Sequence, residues 1–221
     1  MNKFALAKSI PYYDQVYHSI KQMIHEGIFQ PGDRIYEAKI ARDFNLSRSP
    51  IREAIRALEK EGLLVIDEKS RMTVYKPTMK DVEEIYQCRM VLESLAAKLA
   101  TEHATNRELK EIEGVLVQTK KYLEGKEEPD KEVIISLNAR FHDLILQLSK
   151  NNRLQKQLSE LKALTHYYML INLKGERRKW IIFAEHQEIF DCMKRRDDEN
   201  AGQLMSTHIH NDLQHLKQIL E

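Results

Sequence analysis

The chain has 221 residues, of which 42% are hydrophobic and 31% charged, so it has room for one large or two small domains and is too apolar for wholesale disorder. Its 7 glycines and 5 prolines exclude collagen-like and low-complexity chains and disfavour a turn-rich all-β fold. The net charge of +1, taken over the whole chain, argues against a broadly basic surface for nucleic acid.

The distribution of proline divides the chain at Pro77. Four of the five prolines lie at or before this position, where an alternating β-branched stretch gives way to a long helical pattern. Residues 1–77 carry 13 basic and 10 acidic side chains, whereas residues 78–221 carry 22 and 24. We therefore predict two domains, residues 1–77 and 78–221, with a mildly basic first domain and a mildly acidic second.

The first domain is predicted to contain three helices and a β-hairpin. Apolar residues recur at helical spacing over Tyr13–Gly27, Tyr36–Phe44 and 50–61. Asn45 suits a left-handed residue in the second turn, and Ser49 with Pro50 suits the cap and first turn of the third helix. Two apolar runs, at 63–66 and 71–75, surround a polar tip. This order is typical of a winged helix-turn-helix.

The third helix carries the candidate DNA-binding residues. A recognition helix places its N-terminal side chains near base edges in the major groove, and here these are Arg48, Ser49 and Arg52, with Arg56 one turn later. Arginine can hold guanine O6 and N7 together, and a serine hydroxyl can contact a phosphate or a base. The alternative is a solvated helix face in which the arginines neighbour acidic residues of the same helix.

The hairpin tip provides a second candidate DNA contact. Lys69 and Arg71 could reach a phosphate or the minor groove, while Asp67 and Glu68 would oppose such a contact.

These motifs resemble the DNA-binding domain of GntR-family bacterial transcription regulators. The resemblance covers about residues 10–77 and includes Pro31-Gly32-Asp33-Arg34-Ile35, Ser47-Arg48-Ser49-Pro50-Ile51-Arg52 and Glu61-Gly62-Leu63. It implies that Arg48, Ser49 and Arg52 contact operator DNA.

The second domain is predicted to be an antiparallel helical bundle. Its six predicted helices are Lys80–His103, Asn106–Leu123, Asp130–Leu148, Arg153–Leu173, Arg178–Arg196 and Asp198–Leu220. The expected fold class is therefore mainly α, with an N-terminal winged helix-turn-helix and a C-terminal antiparallel all-α bundle.

Three histidines in the bundle are candidate metal ligands. His142, His186 and His208 lie beside core-type residues on three different predicted helices, and Asn138 shares a helix face with His142. If these four residues converge, they would suit Zn or a similar divalent metal with one position left for a ligand. Spacing alone does not show convergence. The other histidines are interpreted as ordinary core or surface residues: His18, His25, His103, His166, His210 and His215.

Residues 78–221 resemble the helical FCD effector domain of FadR-type GntR regulators. The matching pieces include Arg89-Met90-Val91-Leu92-Glu93, Phe141-His142, Glu185-His186 and the stretch from Asp197 to His208. The resemblance implies a divalent metal, with Zn expected, on Asn138, His142, His186 and His208, although Asp is commoner than Asn at the first of these positions. It also implies a small organic-acid effector.

Arg89 has two interpretations. As a buried cation near the metal it would bind the carboxylate of the effector. As an alternative it forms an intrahelical ion pair with Glu93 at i+4.

With these resemblances, the sequence predicts a homodimeric DNA-binding transcription regulator. The resemblance implies that its operator binding responds to a carboxylate effector, with repression relieved by the effector as the commoner behaviour in the family. Two cysteines, no signal-peptide pattern at the start and no apolar stretch near ~20 residues predict a cytoplasmic chain with no membrane partner. The alternatives are a metal-dependent helical-bundle enzyme with an appended DNA-binding domain, or a bundle that senses nothing. The sequence contains neither a His-Glu-x-x-His motif nor a nucleophile motif that would favour the enzyme.

Overall fold

A computed structural model describes residues 10–25, 27–67, 71–125, 131–173 and 176–220. Over these residues it contains nine helices and three short strands. The chain separates into two compact units between Lys76 and Pro77, one residue before the position predicted from the sequence. In the described part of the chain, none of the helices has the length and apolar character of a membrane span.

The N-terminal unit combines three helices with a small antiparallel sheet. Its helices are α1 (Tyr12–His25), α2 (Glu37–Asp43) and α3 (Arg48–Lys60), and its strands are β1 (Arg34–Ile35), β2 (Leu64–Ile66) and β3 (Met72–Val74). The strand order is β1-β3-β2. The predicted hairpin is formed by β2 and β3, with Leu64 opposite Val74. Strand β1, which the sequence pattern did not predict, pairs with the other edge of β3.

Local backbone geometry explains why α3 begins and ends where it does. Asn45 has the positive φ of 52° that was predicted for the turn. At the other end, Gly62 has φ 77°, and the backbone N–H groups of Gly62 and Leu63 donate to the carbonyls of Glu59 and Leu58. This is the bonding pattern of a Schellman cap, in which glycine avoids the steric cost of the left-handed conformation.

The predicted cap of α3 is wrong. The N-cap is Ser47, which makes no side-chain cap hydrogen bond, and Ser49 lies inside the first turn. A capping side chain normally accepts from the N–H two or three residues later. Pro50 occupies the third helical position and has no N–H to donate. The backbone N–H that a cap at Ser47 could bind three residues later is therefore absent, and the helix starts two residues earlier than the serine-proline pair suggested.

The described part of the C-terminal unit is a bundle of six helices, as predicted. The helices are α4 (Met79–His103), α5 (Asn106–Leu123), α6 (Lys131–Leu148), α7 (Asn152–Asn172), α8 (Glu176–Lys194) and α9 (Asp198–Leu220). Reciprocal capping boxes start α4, between Thr78 and Asp81, and α5, between Thr105 and Glu108.

The apolar side chains of these helices form a main core, which also contains charged groups, and a smaller second cluster of Leu123, Ile134, Leu173 and Ile182. The centre of the main core includes Phe141, Ile145, Ile189, Phe190, Met205 and Ile209. Helix α4 packs closely along α9: a Cβ on Gly202 would lie 2.6 Å from Cγ of Lys98, so glycine permits this approach. Arg89, Glu93 and the three candidate histidines are buried inside this apolar surround.

Candidate functional site

The structure brings the three candidate histidines together inside the bundle. Helices α6, α8 and α9 contribute His142, His186 and His208, each at most 3% exposed. Nε2 of His208 lies 3.3 Å from Nε2 of His142 and 3.2 Å from Nε2 of His186. A tetrahedral Zn²⁺ with Zn–N distances of about 2.0–2.1 Å separates its nitrogen ligands by about 3.3 Å. Two of the three nitrogen pairs therefore have the spacing of a zinc site, and the ligand atoms of all three histidines lie within 4.8 Å of one another.

Carboxylates behind two of the rings fix their orientation. The Nδ1–H of His142 donates to Oε2 of Glu93 at 2.7 Å, and the Nδ1–H of His208 donates to Oε2 of Glu185 at 2.7 Å. Each bond turns the Nε2 atom of its ring toward the centre of the cluster. Such carboxylate–histidine pairs raise the basicity of metal-binding imidazoles and hold them in place. His186 is instead held by stacking on Phe141, with ring centroids 3.9 Å apart.

The protonation states of the cluster suit metal ligation. Burial lowers the pKa of His142, against the opposing pull of Glu93, and burial together with the neighbouring imidazoles lowers the pKa of His186 further. Burial also acts to lower the pKa of His208, but Asp212 and Glu185 outweigh it and leave that pKa raised. The lowered pKa values favour the neutral, metal-binding form of His142 and His186, whereas a metal would compete most with a proton at His208, whose pKa is raised.

Asn138 meets the condition for a fourth ligand. It lies one helical turn before His142 on α6, and its Oδ1 atom is buried without a hydrogen-bond partner among the described residues. An unpartnered buried acceptor is unfavourable unless a ligand or ion satisfies it. Three imidazole nitrogens and an amide oxygen form a donor set that a divalent transition metal accepts. The residues present fit the predicted metal.

Arg89 forms the ion pair that was one of its two interpretations, but the pair is buried. Its Nε and Nη2 atoms each lie 2.8 Å from Oε1 of Glu93, and the arginine is 1% exposed. Burial opposes the charge on Glu93, yet Arg89 and His142 outweigh it and hold the pKa of this carboxyl well below its usual value. One carboxylate thus links Arg89 to the histidine cluster.

Two donors beside this pair have no acceptor. Nη1 of Arg89 and the hydroxyl of Tyr86 are buried without hydrogen-bond partners among the described residues, and the guanidinium lies 4.6 Å from the tyrosine ring centroid. Burial raises the pKa of Tyr86, so its hydroxyl stays protonated. Tyr86 was not predicted from the sequence, because its spacing alone resembles that of an ordinary core residue.

Asp212 is a further missed residue. One of its oxygens accepts a hydrogen bond from Nη2 of Arg178, and the other lies 3.9 Å from Nε2 of His208. Its position four residues after His208 was the available signal, because residues at i and i+4 share a helix face.

The candidate DNA-binding residues lie together on the exposed side of α3. Ile51, Ala54, Ile55 and Leu58 form the buried side of this helix. Arg48, Ser49, Arg52 and Arg56 are all exposed. Nε of Arg52 donates to Oε2 of Glu37 on α2 at 3.0 Å, so its recorded partner comes from the preceding helix and not from α3 itself.

Of the two candidate DNA-binding residues in the hairpin, or wing, Arg71 is among the described residues. Arg71 pairs with Asp67 through its Nε atom, while its backbone N–H donates to the same carboxylate at 2.8 Å. This is one of the two carboxylates that were expected to oppose DNA contact. Lys69 lies outside the described residues.

Comparison with protein families identifies both units. Residues 12–74 match the model described as "Bacterial regulatory proteins, gntR family", and residues 84–211 match the FCD domain.

Two proteins of known sequence resemble the chain over nearly its full length. The HTH-type transcriptional regulator YdhC of Bacillus subtilis (strain 168) is 42% identical over 221 residues, which is 100% of this chain and 98% of that one. The HTH-type transcriptional repressor RspR of Escherichia coli (strain K12) is 24% identical, covering 95% of this chain and 90% of its own.

Solved structures support the fold. E. coli McbR/YncC superimposes with a TM-score of 0.82 at 22% identity, covering 96% of this chain and 100% of that one. A GntR regulator from Rhodococcus sp. RHA1 gives a TM-score of 0.76 at 22% identity, covering 93% and 97%. These relatives are transcription regulators, which gives the enzyme alternative no support. The chain therefore belongs to the GntR family of bacterial regulatory proteins, in the group with an FCD domain, and is a DNA-binding transcription regulator.

Proposed function

We propose that the chain is a homodimeric repressor whose operator binding is controlled by a small carboxylate effector held at a divalent metal in the bundle. The observation that carries this proposal is the convergence of three buried histidines, with two buried donors nearby that have no acceptor among the described residues. The printed name of RspR, a repressor, supports the direction of control. The site of action is the cytoplasm, where bacterial operator DNA lies.

Zn²⁺ is the proposed metal, held by His142, His186, His208 and Asn138. When bound, the metal supplies a Lewis-acidic position for one oxygen of a carboxylate. The protein's own contribution is orientation: Glu93 and Glu185 fix the tautomers of two rings, and the apolar core excludes competing water. Because Asn138 is neutral, it adds no negative charge to the site, which favours an anionic ligand.

Arg89 and Tyr86 are proposed to hold the effector. A carboxylate oxygen would accept from Nη1 of Arg89 and from the hydroxyl of Tyr86, the two groups that lack acceptors in the described structure. Hydrogen bonds to a charged acceptor are the strong ones, particularly away from water. Both interpretations of Arg89 then hold together, since Nε and Nη2 stay on Glu93 while Nη1 contacts the ligand.

Operator recognition is assigned to α3 and, more weakly, to the wing. A dimer would place two copies of α3 in successive major grooves of a palindromic site, with Arg48, Ser49, Arg52 and Arg56 toward bases and phosphates. Lys69 and Arg71 are proposed phosphate contacts of the wing. Effector and operator must change each other's affinity by the same factor, because binding free energies are linked.

A gel-shift titration of the full chain against its own upstream DNA tests the proposal. We expect binding at least 1,000-fold tighter to the operator than to random DNA of equal length. We also expect operator binding to weaken when Zn²⁺ and one member of a panel of small organic acids are both present. Equal affinity for both DNAs would contradict the operator assignment, and an operator complex indifferent to every acid would contradict the effector assignment.

Two variants separate these parts. Arg48→Gln should weaken operator binding with no effect on metal binding. His142→Ala should bind the operator normally but lose the response to the acid.

A further inference from the structure

We propose that the groove between α8 and α9 is a second anion-binding site, next to the three-histidine cluster but lined by other residues, that takes a small oxyanion such as a phosphate or a carboxylate. The groove has a volume of about 340 Å³ and opens to solvent. Its polar lining includes Arg177, Arg178, Asn211, Gln214 and His215. None of its described lining residues is acidic.

Arg178 is the central residue of this groove. Its side chain is 8% exposed, and Nη2 donates to Oδ1 of Asp212. Nε of the same guanidinium is buried and has no acceptor among the described residues. Arginine is weakly hydrated and presents its donors in a fixed fork, which suits a planar carboxylate or a phosphate. An oxyanion in the groove would provide the acceptor that the protein itself does not.

His215 is a second residue of the groove with a buried nitrogen, Nε2, that lacks a hydrogen-bond partner among the described residues. Burial, followed by the positive charge of Arg178, lowers the pKa of His215. The imidazole is therefore neutral at pH 7 and offers one N–H donor, while Arg177 adds an exposed positive charge at the same groove.

The electrostatic balance of the groove favours an anion. The charge of Arg178 is matched by Asp212, so the charge of Arg177 remains as the net positive charge among these three residues. Glu185, the other nearby carboxylate, already accepts from His208 and from Asn211. An arriving oxyanion would therefore meet donors and a positive charge, with the neighbouring carboxylates already hydrogen-bonded.

Calorimetric titration of the full chain with inorganic phosphate and, separately, with citrate tests this site. The protein is first stripped of metal by chelation and dialysed into a chloride buffer, which removes any anion binding that depends on a metal. We expect saturable binding of at least one probe. A response to phosphate alone identifies a phosphate-type ligand, and a response to citrate alone identifies a polycarboxylate.

Two variants in the groove and one control outside it test which residues bind the anion. The double variant Arg178→Gln with Asp212→Asn removes the cation without leaving a buried carboxylate unpaired, and it should weaken binding at least 10-fold. Arg177→Gln changes an exposed residue, so it keeps the fold and should weaken binding several-fold. Arg107→Gln, an exposed arginine on α5 outside the groove, is the matched control and should bind as the wild type does.

Three results would overturn the proposal. They are the absence of saturable binding of either probe, equal binding by the Arg177 and Arg107 variants, and binding that appears only after Zn²⁺ is restored. The last result would assign the anion to the three-histidine cluster and leave the proposed function intact.

Discussion

The two units of the molecule hold their charged side chains in opposite ways. On α3 the arginines face solvent, and the side chain of Arg52 is 57% exposed although it pairs with Glu37. In the bundle Arg89 is 1% exposed and its partner Glu93 is 3% exposed. Exposed pairs contribute little to stability, whereas breaking a buried pair strands a charge in an apolar core. We therefore expect substitutions of the exposed arginines on α3 to change DNA binding alone, and substitutions around Glu93 to change ligand binding and stability together.

The largest effect is expected from Glu93→Ala. This change leaves Arg89 buried without a counter-charge and removes the acceptor for Nδ1 of His142. Loss of one partner of a buried pair costs about 3–5 kcal/mol, so the free energy of unfolding should fall by that amount. Urea unfolding of the metal-free chain, followed by the fluorescence of Trp180 on α8, measures it.

Glu199→Ala is the matched control for that experiment. Glu199 pairs with Lys98 between α9 and α4, but its side chain is 78% exposed. A change below about 1 kcal/mol is expected there. Equal losses of unfolding free energy in Glu93→Ala and Glu199→Ala would mean that burial does not determine how much an ion pair contributes to stability.

The second effect concerns metal binding. A ligand that binds only the native state stabilises it by about 2.7 kcal/mol at a concentration of 100 Kd. Zn²⁺ should therefore raise the melting temperature of the chelated wild type, and His208→Ala should abolish the shift. His210→Ala is the control, because it removes an exposed histidine two residues further along α9. A shift that survives in His208→Ala, or is lost in His210→Ala, would place the metal elsewhere.

The features that the sequence predicted best depend on local patterns. The six bundle helices and the two-unit division follow from helical periodicity and from the position of Pro77, and the structure agrees within a few residues. The left-handed Asn45 was equally predictable, because few other residues tolerate that backbone conformation.

The features that it could not predict depend on long-range packing. Glu93 is 49 residues from His142, and Glu185 is 23 residues from His208, so only the packing of α4, α6, α8 and α9 brings each pair together. The same holds for Glu37, whose pairing with Arg52 depends on the angle between α2 and α3. Periodicity identifies which side of a helix is buried, but not which side chain of another helix lies opposite.

The third effect concerns the exposed pair on α3. If Arg52 contacts DNA, then Glu37 competes for it in the free protein. Arg52→Gln should therefore weaken operator binding by about 1–3 kcal/mol. Glu37→Gln should strengthen it slightly, by less than about 1 kcal/mol. Both changes are measured by gel shift at fixed salt, and both should leave thermal stability unchanged. Stronger binding by Arg52→Gln would contradict the assignment.

The smallest effect is a pH dependence in the N-terminal unit. Glu61, at the C-terminal end of α3, accepts hydrogen bonds from Tyr17 and Lys21 of α1. Partial burial acts to raise the pKa of Glu61, but these two donors outweigh it and leave the pKa below its usual value. The resulting stabilisation is present above the unfolded pKa of about 4.3 and is lost as the pH falls through the lower folded value.

Glu61→Gln should therefore lose protection against amide hydrogen exchange in α1 and α3 at pH 6, and the difference from wild type should vanish in acid. Because the Glu61 side chain is 36% exposed, we expect only about 0.2–1 kcal/mol. Glu59→Gln, an exposed change on the same helix, is the control and should follow the wild type at every pH. A Glu61→Gln deficit that does not shrink as the pH is lowered would show that the side chain acts through packing, because the contribution of a charged carboxylate falls as that carboxylate is protonated.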